Sequence, residues 1–419
     1  MVDVWHPFTQ LQGFAPLGTV VRARGAWLEL ADGRRVLDGI ASWWVNVHGH
    51  CHPRITEAIA TQAATFDQVI LADFTHAPAA TLAARLAALL PGDLDHVFFS
   101  DDGSTAVEVA LKLAWQAQGL RGQGHRTRFV ALEGGYHGDT LGAMRVGARD
   151  VFTAPFDGLL GPTTFLPWDD GAAAERFFEA EGHEVAVCIV EPVLQGAGGM
   201  RLGSPEALAR LAAAARRAGV ILVADEVATG FGRLGPLWAC ELAGVVPDLL
   251  CMSKGITGGA LALGATGVRG ELFDLFLGAD KRRAFLHGHS YTGNPLACAA
   301  ALASLDLFDE EDTLGRVRAI DATYAAWHDR LAALPGVRDV RHRGVLLAFD
   351  LEGGPGGYLD PVGVRVQRAA LAQGLYVRPL GHVVYLLPPT CITPDELDWA
   401  LGVLVDAVGD ALRPRPAAS

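Results

Sequence analysis

Only three of the 34 basic residues are lysine: Lys112, Lys254 and Lys281. Lysine can shed its proton and attack as an amine, and arginine cannot, so each of the three is a candidate for amine chemistry. Lys112 follows Glu108 by four residues in a helical pattern, the spacing of a surface ion pair. Lys281 lies in Asp280-Lys281-Arg282-Arg283, a solvated charge cluster. Lys254 follows the strand-like run 248–252, with only Ser253 between, and precedes Gly255. It reads either as a nucleophile at a strand end or as a strand-end lysine reaching solvent.

Other groups stand at equivalent places. Glu191 follows the run 185–190, and Asp225-Glu226 follows 220–224. Ligands of open parallel sheets bind beyond the carboxyl ends of the strands. The gap from Asp225 to Lys254 suits one strand-helix-strand step, which would set the two face to face. A pyridoxal 5′-phosphate (PLP) site needs a lysine amine, an acid at the ring nitrogen, a flat side chain and a phosphate cradle. Asp225 suits the acid, because a carboxylate favours the protonated ring; a helix cap or loop ion pair is the alternative. Gly103 and Ser104 open a helical pattern, where free N–H groups bind phosphate; an ordinary N-cap is the alternative. Tyr136, framed by glycines in Gly134-Gly135-Tyr136-His137-Gly138, could lie flat on a ring or belong to a simple turn.

Competing motifs are missing or incomplete. Neither a dinucleotide fingerprint nor a P-loop is present. His48-Gly49-His50-Cys51-His52 has no second ligand group at a standard spacing, so packing and loop hydrogen bonds are expected there, not a metal.

The elements that must position these groups follow from periodicity. Residues 17–40 read as a hairpin or meander turning at 31–33, and 54–66 and 78–90 as helices. Then 97–99, 128–132, 185–190, 220–224 and 248–252 read as strands, with helices at 104–118 and 205–218. Short, wholly apolar strands between helices indicate α/β architecture, with a mostly parallel sheet covered on both faces. From about 309 the pattern changes to an α+β unit: a helix at 310–333, strands near 344–351 and 383–387, and a helix at 395–412. The tail 413–419 is Pro/Ala-rich and expected to fray.

The net charge of −13 with no basic tract argues against nucleic acid and anionic membranes as partners. No apolar run of about 18 residues is present to span a bilayer. The N-terminus lacks a secretion signal, and six scattered cysteines without a C-x-x-C pair suggest reduced thiols and a cytoplasmic location.

Together these residues resemble the class III aminotransferases of PLP fold type I, across almost the whole chain. Within the class they look like the biotin-pathway subfamily, the 7,8-diaminopelargonate synthases. The supporting segments are Trp5-His6-Pro7-Phe8-Thr9, Ser42-Trp43-Trp44, Tyr136-His137-Gly138-Asp139-Thr140, Gln195-Gly196-Ala197-Gly198-Gly199-Met200, Asp225 to Arg233, Asn294 to Ala299 and Arg378-Pro379. The resemblance implies PLP as cofactor, held on Lys254, with Asp225 at the ring nitrogen, Tyr136 on the ring, and Gly103 and Ser104 at the phosphate. It implies a substrate pocket with Phe8, Trp43 and Tyr136, where Arg378 holds the carboxylate of the keto substrate. Gly288, His289 and Ser290 would enter from a neighbouring subunit, with Ser290 completing the phosphate site, so a homodimer is implied. It further implies a small domain formed by residues 1–50 and 309–419 around a PLP-binding large domain, 51–308. The expected reaction is transamination of 8-amino-7-oxononanoate to 7,8-diaminononanoate, with S-adenosylmethionine as donor. The alternatives are lysine as donor, another class III ω-aminotransferase, or an aminomutase.

Three positions depart from the family pattern. Asp102 replaces a serine in the phosphate cradle, Ser290 replaces a threonine, and Phe8 stands where the N-terminal segment usually has tyrosine. The last departure, with the His289-Ser290 pair, points toward the lysine-using variant. Ala197 stands where amino-acid ω-aminotransferases carry glutamate, which argues against glutamate as donor.

Overall fold

A computed structural model describes residues 4–352 and 356–413. Its central sheet has seven strands, in the order His96–Ser100, Gly264–Val268, Leu249–Met252, Ile221–Asp225, Val185–Val190, Arg128–Leu132, Thr164–Leu166. Gly264–Val268 runs antiparallel to both neighbours, and the other strands are mutually parallel. Every residue of Val185–Val190, Ile221–Asp225 and Leu249–Met252 is buried. The two-residue period of a strand divides them between two cores. Val187, Ile189, Ile221 and Val223 pack with helix Gly103–Leu120 on one face. Cys188, Val190, Leu222 and Ala224 pack on the other, with Ala77–Leu89 and Pro205–Arg217.

Several elements differ from the sequence expectation. Gly264–Val268, with two glycines, carries no apolar run, yet it is a fully buried inner strand, next to the edge strand His96–Ser100. Its glycines are needed because a Cβ on Gly264 would sit 2.2 Å from the Asp102 carbonyl oxygen, and one on Gly267 would sit 2.7 Å from Leu90. The helix expected between Asp225 and Lys254 is only a short 3-10 turn, Ala239–Ala243. The helix expected over 310–333 is found as Thr313–Ala332, and it is preceded by a further, unexpected helix, Pro295–Glu310, from which left-handed backbone at Asp312 (φ +45°) separates it. Strand Val337–Arg343 escaped notice because it is charged and half-exposed, and Thr164–Leu166 and helix Val362–Ala372 were not expected. The tail residues 414–419 lie outside the described residues.

The N-terminal meander Val20–Arg24, Trp27–Leu30, Arg35–Asp38 is extended by Leu375–Tyr376, which pairs parallel with Arg35–Asp38. The two ends of the chain therefore share one sheet. Beside it, Val337–Arg343, Leu346–Leu351 and Val383–Leu386 form a separate antiparallel sheet. Among the described residues, no helix is long and apolar enough to cross a membrane.

Candidate active site

Ile221–Asp225 and Leu249–Met252 are adjacent parallel strands, and Asp225 registers with Cys251. Both chains leave the sheet at the same edge, and Lys254 follows within three residues. A cavity of about 480 Å³ opens there, lined by Lys254, Asp225, Tyr136, Gly103, Ser104 and Trp44 among others. The five residues expected to hold the cofactor core therefore converge.

Lys254 adopts left-handed backbone (φ +44°) at the start of a single 3-10 turn, Lys254–Thr257. Such strain in a non-glycine residue is kept only where surrounding packing enforces it. Gly255 supplies the room, since a Cβ there would meet Phe231 at 3.0 Å. The Lys254 amine lies 4.7 Å from the centre of the Trp44 indole. Burial pulls its pKa down from 10.5 to about 8, against the opposing pull of Asp225 and Glu191. A useful fraction of the amine is then uncharged, as a nucleophile or proton acceptor requires.

Trp44 reaches this place through unusual backbone. Ala41, Ser42, Trp43 and Trp44 all have φ between +47° and +70°, a left-handed turn costing roughly 1–2 kcal/mol per residue. Specific bonds hold it. Ser42 Oγ donates to Asp38 at 2.7 Å, Trp44 Nε1 donates to the Tyr385 hydroxyl at 3.1 Å, and Arg233 donates to the carbonyls of Trp44 and Asn46 at 2.8 and 2.9 Å.

Asp225 is buried. One carboxylate oxygen pairs with His137 Nδ1 at 2.6 Å, and the other accepts from Val227 N at 3.1 Å. Burial opposes a charge on His137, but the Asp225 carboxylate outweighs it and leaves the imidazole pKa raised. The pair sets a hydrogen-bonded carboxylate against the cavity. Glu191 accepts from Tyr136 N and Gly196 N, both at 3.0 Å. Burial pushes its pKa up to about 7. Tyr136 is further fixed by its hydroxyl, which donates to Asp139 at 2.9 Å.

Asp102 caps helix Gly103–Leu120, accepting from Thr105 N at 2.7 Å. Its carboxylate is thereby turned back onto the helix, while the first-turn amides of Gly103 and Ser104 have no intrahelical partner. The cap and the cradle coexist. Glycine is required at 103, where a Cβ would come within 2.6 Å of Val227, and at 138 (φ +119°), where it would come within 2.1 Å of Ser104 Oγ. Open amides, a lysine amine and a charge-supported carboxylate around one cavity fit a phosphate-bearing pyridine aldehyde.

The expected substrate residues form a second group beside the cavity. The Arg378 guanidinium lies 4.5 Å over the Trp43 ring, and Trp43 meets Phe8 edge-on at 5.3 Å. Among the described residues, no carboxylate pairs with Arg378. Gly288, His289 and Ser290 do not line the cavity of their own chain. Ser290 O accepts from Gln68 at 2.9 Å, and His289 N donates to Thr292 Oγ1 at 3.0 Å.

Of two other expectations, the Lys112–Glu108 ion pair is not formed and the loop hydrogen bonds of the histidine cluster are. Lys112 bonds His287 Nδ1 at 2.9 Å instead of pairing with Glu108, which accepts from Gly142 N at 2.7 Å. His48, His50 and His52 bond Ser304, Asp38 and Glu311 respectively, as loop-packing histidines do. Sequence reasoning assigned no role to Trp44, His137, Val227 or Arg233. Trp44 and His137 adjoin residues that were singled out, but no spacing rule reveals which neighbour turns inward.

Residues 12–408 match the family model described as aminotransferase class-III. The chain is 47% identical over 420 residues (97% of this chain, 98% of the relative) to the adenosylmethionine-8-amino-7-oxononanoate aminotransferase of Synechococcus elongatus. It superposes on the crystal structure of the enzyme of that name from Methanocaldococcus jannaschii with a TM-score of 0.95, at 34% identity and covering 98% of each chain. An amine transaminase from an uncultivated Pseudomonas species, solved in a PLP-bound form, gives a TM-score of 0.89 at 32% identity, also covering 98% of each chain.

Proposed function

The chain belongs to the class-III aminotransferases, and from that premise we propose that it transfers an amino group to 8-amino-7-oxononanoate, forming 7,8-diaminononanoate, with PLP as cofactor and S-adenosylmethionine as donor. The observation that carries the reading is the placement of Asp225, at the end of one strand, and Lys254, just beyond the end of the adjacent parallel strand, around one cavity. The relatives named for this acceptor, 47% identical in the first case, support the substrate assignment. When bound, the cofactor supplies an electron-withdrawing ring that stabilises charge developing on the substrate carbon.

The chain's own residues do the rest. Lys254 Nζ would hold the cofactor and, when free, would take a proton from the donor carbon. Asp225, hydrogen-bonded to His137, would face the ring nitrogen. Tyr136, pinned by Glu191 and Asp139, would flank the ring, and the Gly103 and Ser104 amides would hold the phosphate. Arg378 binds the acceptor carboxylate, and Phe8 and Trp43 line its path. The active unit is a homodimer in which Gly288, His289 and Ser290 of one copy complete the cavity of the other.

Arg378→Lys replaces a two-pronged donor with a point charge. The acceptor KM is expected to rise roughly 10- to 100-fold, the worth of a charged hydrogen bond, while the donor half-reaction stays within a fewfold of wild type. Separate stopped-flow measurement of the two half-reactions checks this. Equal damage to both would mark Arg378 as structural.

Phe8 favours a second reading, lysine as donor, because its ring offers no hydrogen bond beside Trp43. A donor screen with 8-amino-7-oxononanoate as acceptor, run on wild type and Phe8→Tyr, tests both. S-adenosylmethionine is expected to load the amino group at concentrations where lysine does not. Phe8→Tyr should improve it by about 2- to 13-fold, the worth of one hydrogen bond. Activity with lysine alone would replace the donor and keep the acceptor. Turnover with glutamate or alanine alone would reject the subfamily, and turnover with no donor would indicate an aminomutase.

A further inference from the structure

Beside Arg378, rings from four separate segments meet. Phe8 is held in left-handed backbone (φ +52°) and contacts both Trp43 and, at 5.8 Å between ring centres, Phe152. Phe152 takes Tyr358 edge-on at 4.5 Å, with the ring planes at 69°. The contacts run unbroken from Arg378 through Trp43, Phe8 and Phe152 to Tyr358. None of the four rings is fully buried, and Phe8 is 45% exposed. Rings that only filled a core would be covered. A contiguous, partly exposed apolar wall starting at a guanidinium with no carboxylate partner among the described residues instead suits a ligand with a carboxylate at one end and methylenes along its length.

We propose that Phe152 and Tyr358 close against Phe8 as an aromatic clasp over the aliphatic chain of the acceptor, and that this clasp sets the preferred distance between carboxylate and ketone. The proposal rests on the acceptor assigned above, a keto acid whose two ends are separated by a run of methylenes. Short keto acids anchored on Arg378 leave the clasp uncovered and gain nothing from it.

The test uses the holoenzyme and straight-chain carboxylates from pentanoate to nonanoate, which carry no ketone and serve as inert probes in calorimetric titration. Wild-type affinity is expected to rise about fourfold for each methylene the clasp covers, the worth of burying one CH₂. Phe152→Ala and Tyr358→Ala should flatten that increment to about twofold or less. Tyr358→Phe and Phe152→Leu, which keep apolar volume and guard against a folding defect, should retain most of it. The acceptor KM should follow the same order, rising in the alanine variants and nearly unchanged in the conservative ones. Equal slopes in wild type and the alanine variants would overturn the clasp. Failure of wild type to aminate 8-amino-7-oxononanoate with any donor would instead overturn the acceptor assignment, and with it the clasp's occupant.

Discussion

Lys254→Ala is expected to lower kcat by about 10⁴-fold or more while leaving the protein folded. A positioned acid-base group alone contributes roughly 10²–10⁴-fold, and the same amine also anchors the cofactor. No other amine can take over. Lys112 is held by His287, and Lys281 lies in an exposed turn, Lys281–Arg283. Single-turnover rates of cofactor-loaded protein with the donor measure the effect, and circular dichroism checks the fold. Borohydride reduction of the wild type followed by peptide mapping should place the cofactor on Lys254. A label on Lys112 or Lys281, or a variant within tenfold of wild type, would remove Lys254 from the chemistry. Small primary amines should partly restore the variant, a response that a merely misfolded protein would not give.

Asp225→Asn should lower the rate of proton removal from the donor by about 10²–10³-fold, the usual worth of one electrostatic group aimed at developing charge. The substitution keeps the shape and removes the charge. Each unit by which the carboxylate raises the ring-nitrogen pKa corresponds to about 1.4 kcal/mol, and that support would be lost. His137 would lose its counter-ion at the same time. With its partner neutral, the burial that opposes a charge on His137 would prevail, and the imidazole would become neutral. Cofactor is expected to remain bound through Lys254 and the phosphate amides. The check is single-turnover kinetics together with the pH titration of the bound chromophore. Near-normal rates in Asp225→Asn would exclude the role.

The parallel strands were legible because burial on both faces demands apolar residues at every position, as in Val185–Val190. Asp225 and Lys254 could then be located by a topological rule, since loops at the carboxyl ends of such strands face the ligand. Gly264–Val268 was not legible. Its glycines answer to close approaches made by distant groups, the Asp102 carbonyl and the Leu90 side chain, and leave no local hydrophobic pattern. Helix Pro295–Glu310 was likewise not legible, because nine of its sixteen residues are buried and leave little amphipathic contrast.

The amino-acid sequence by itself determined the α/β class, the edge of the sheet where the cavity opens, and the lysine and aspartate that line it. Apolar periodicity and strand-end position are local properties of the chain, readable without coordinates. Only the tertiary structure decided how those groups are tuned and what surrounds them. The left-handed turn 41–44 runs against the preference of every residue in it, and it persists because Asp38, just before it, and Arg233 and Tyr385, far away in the chain, hold it. The His137–Asp225 pair, the lowered pKa of Lys254 and the ring contacts from Phe8 to Tyr358 likewise arise between segments remote in sequence. Electrostatics and packing act through space, so they take their values only when the fold sets the distances.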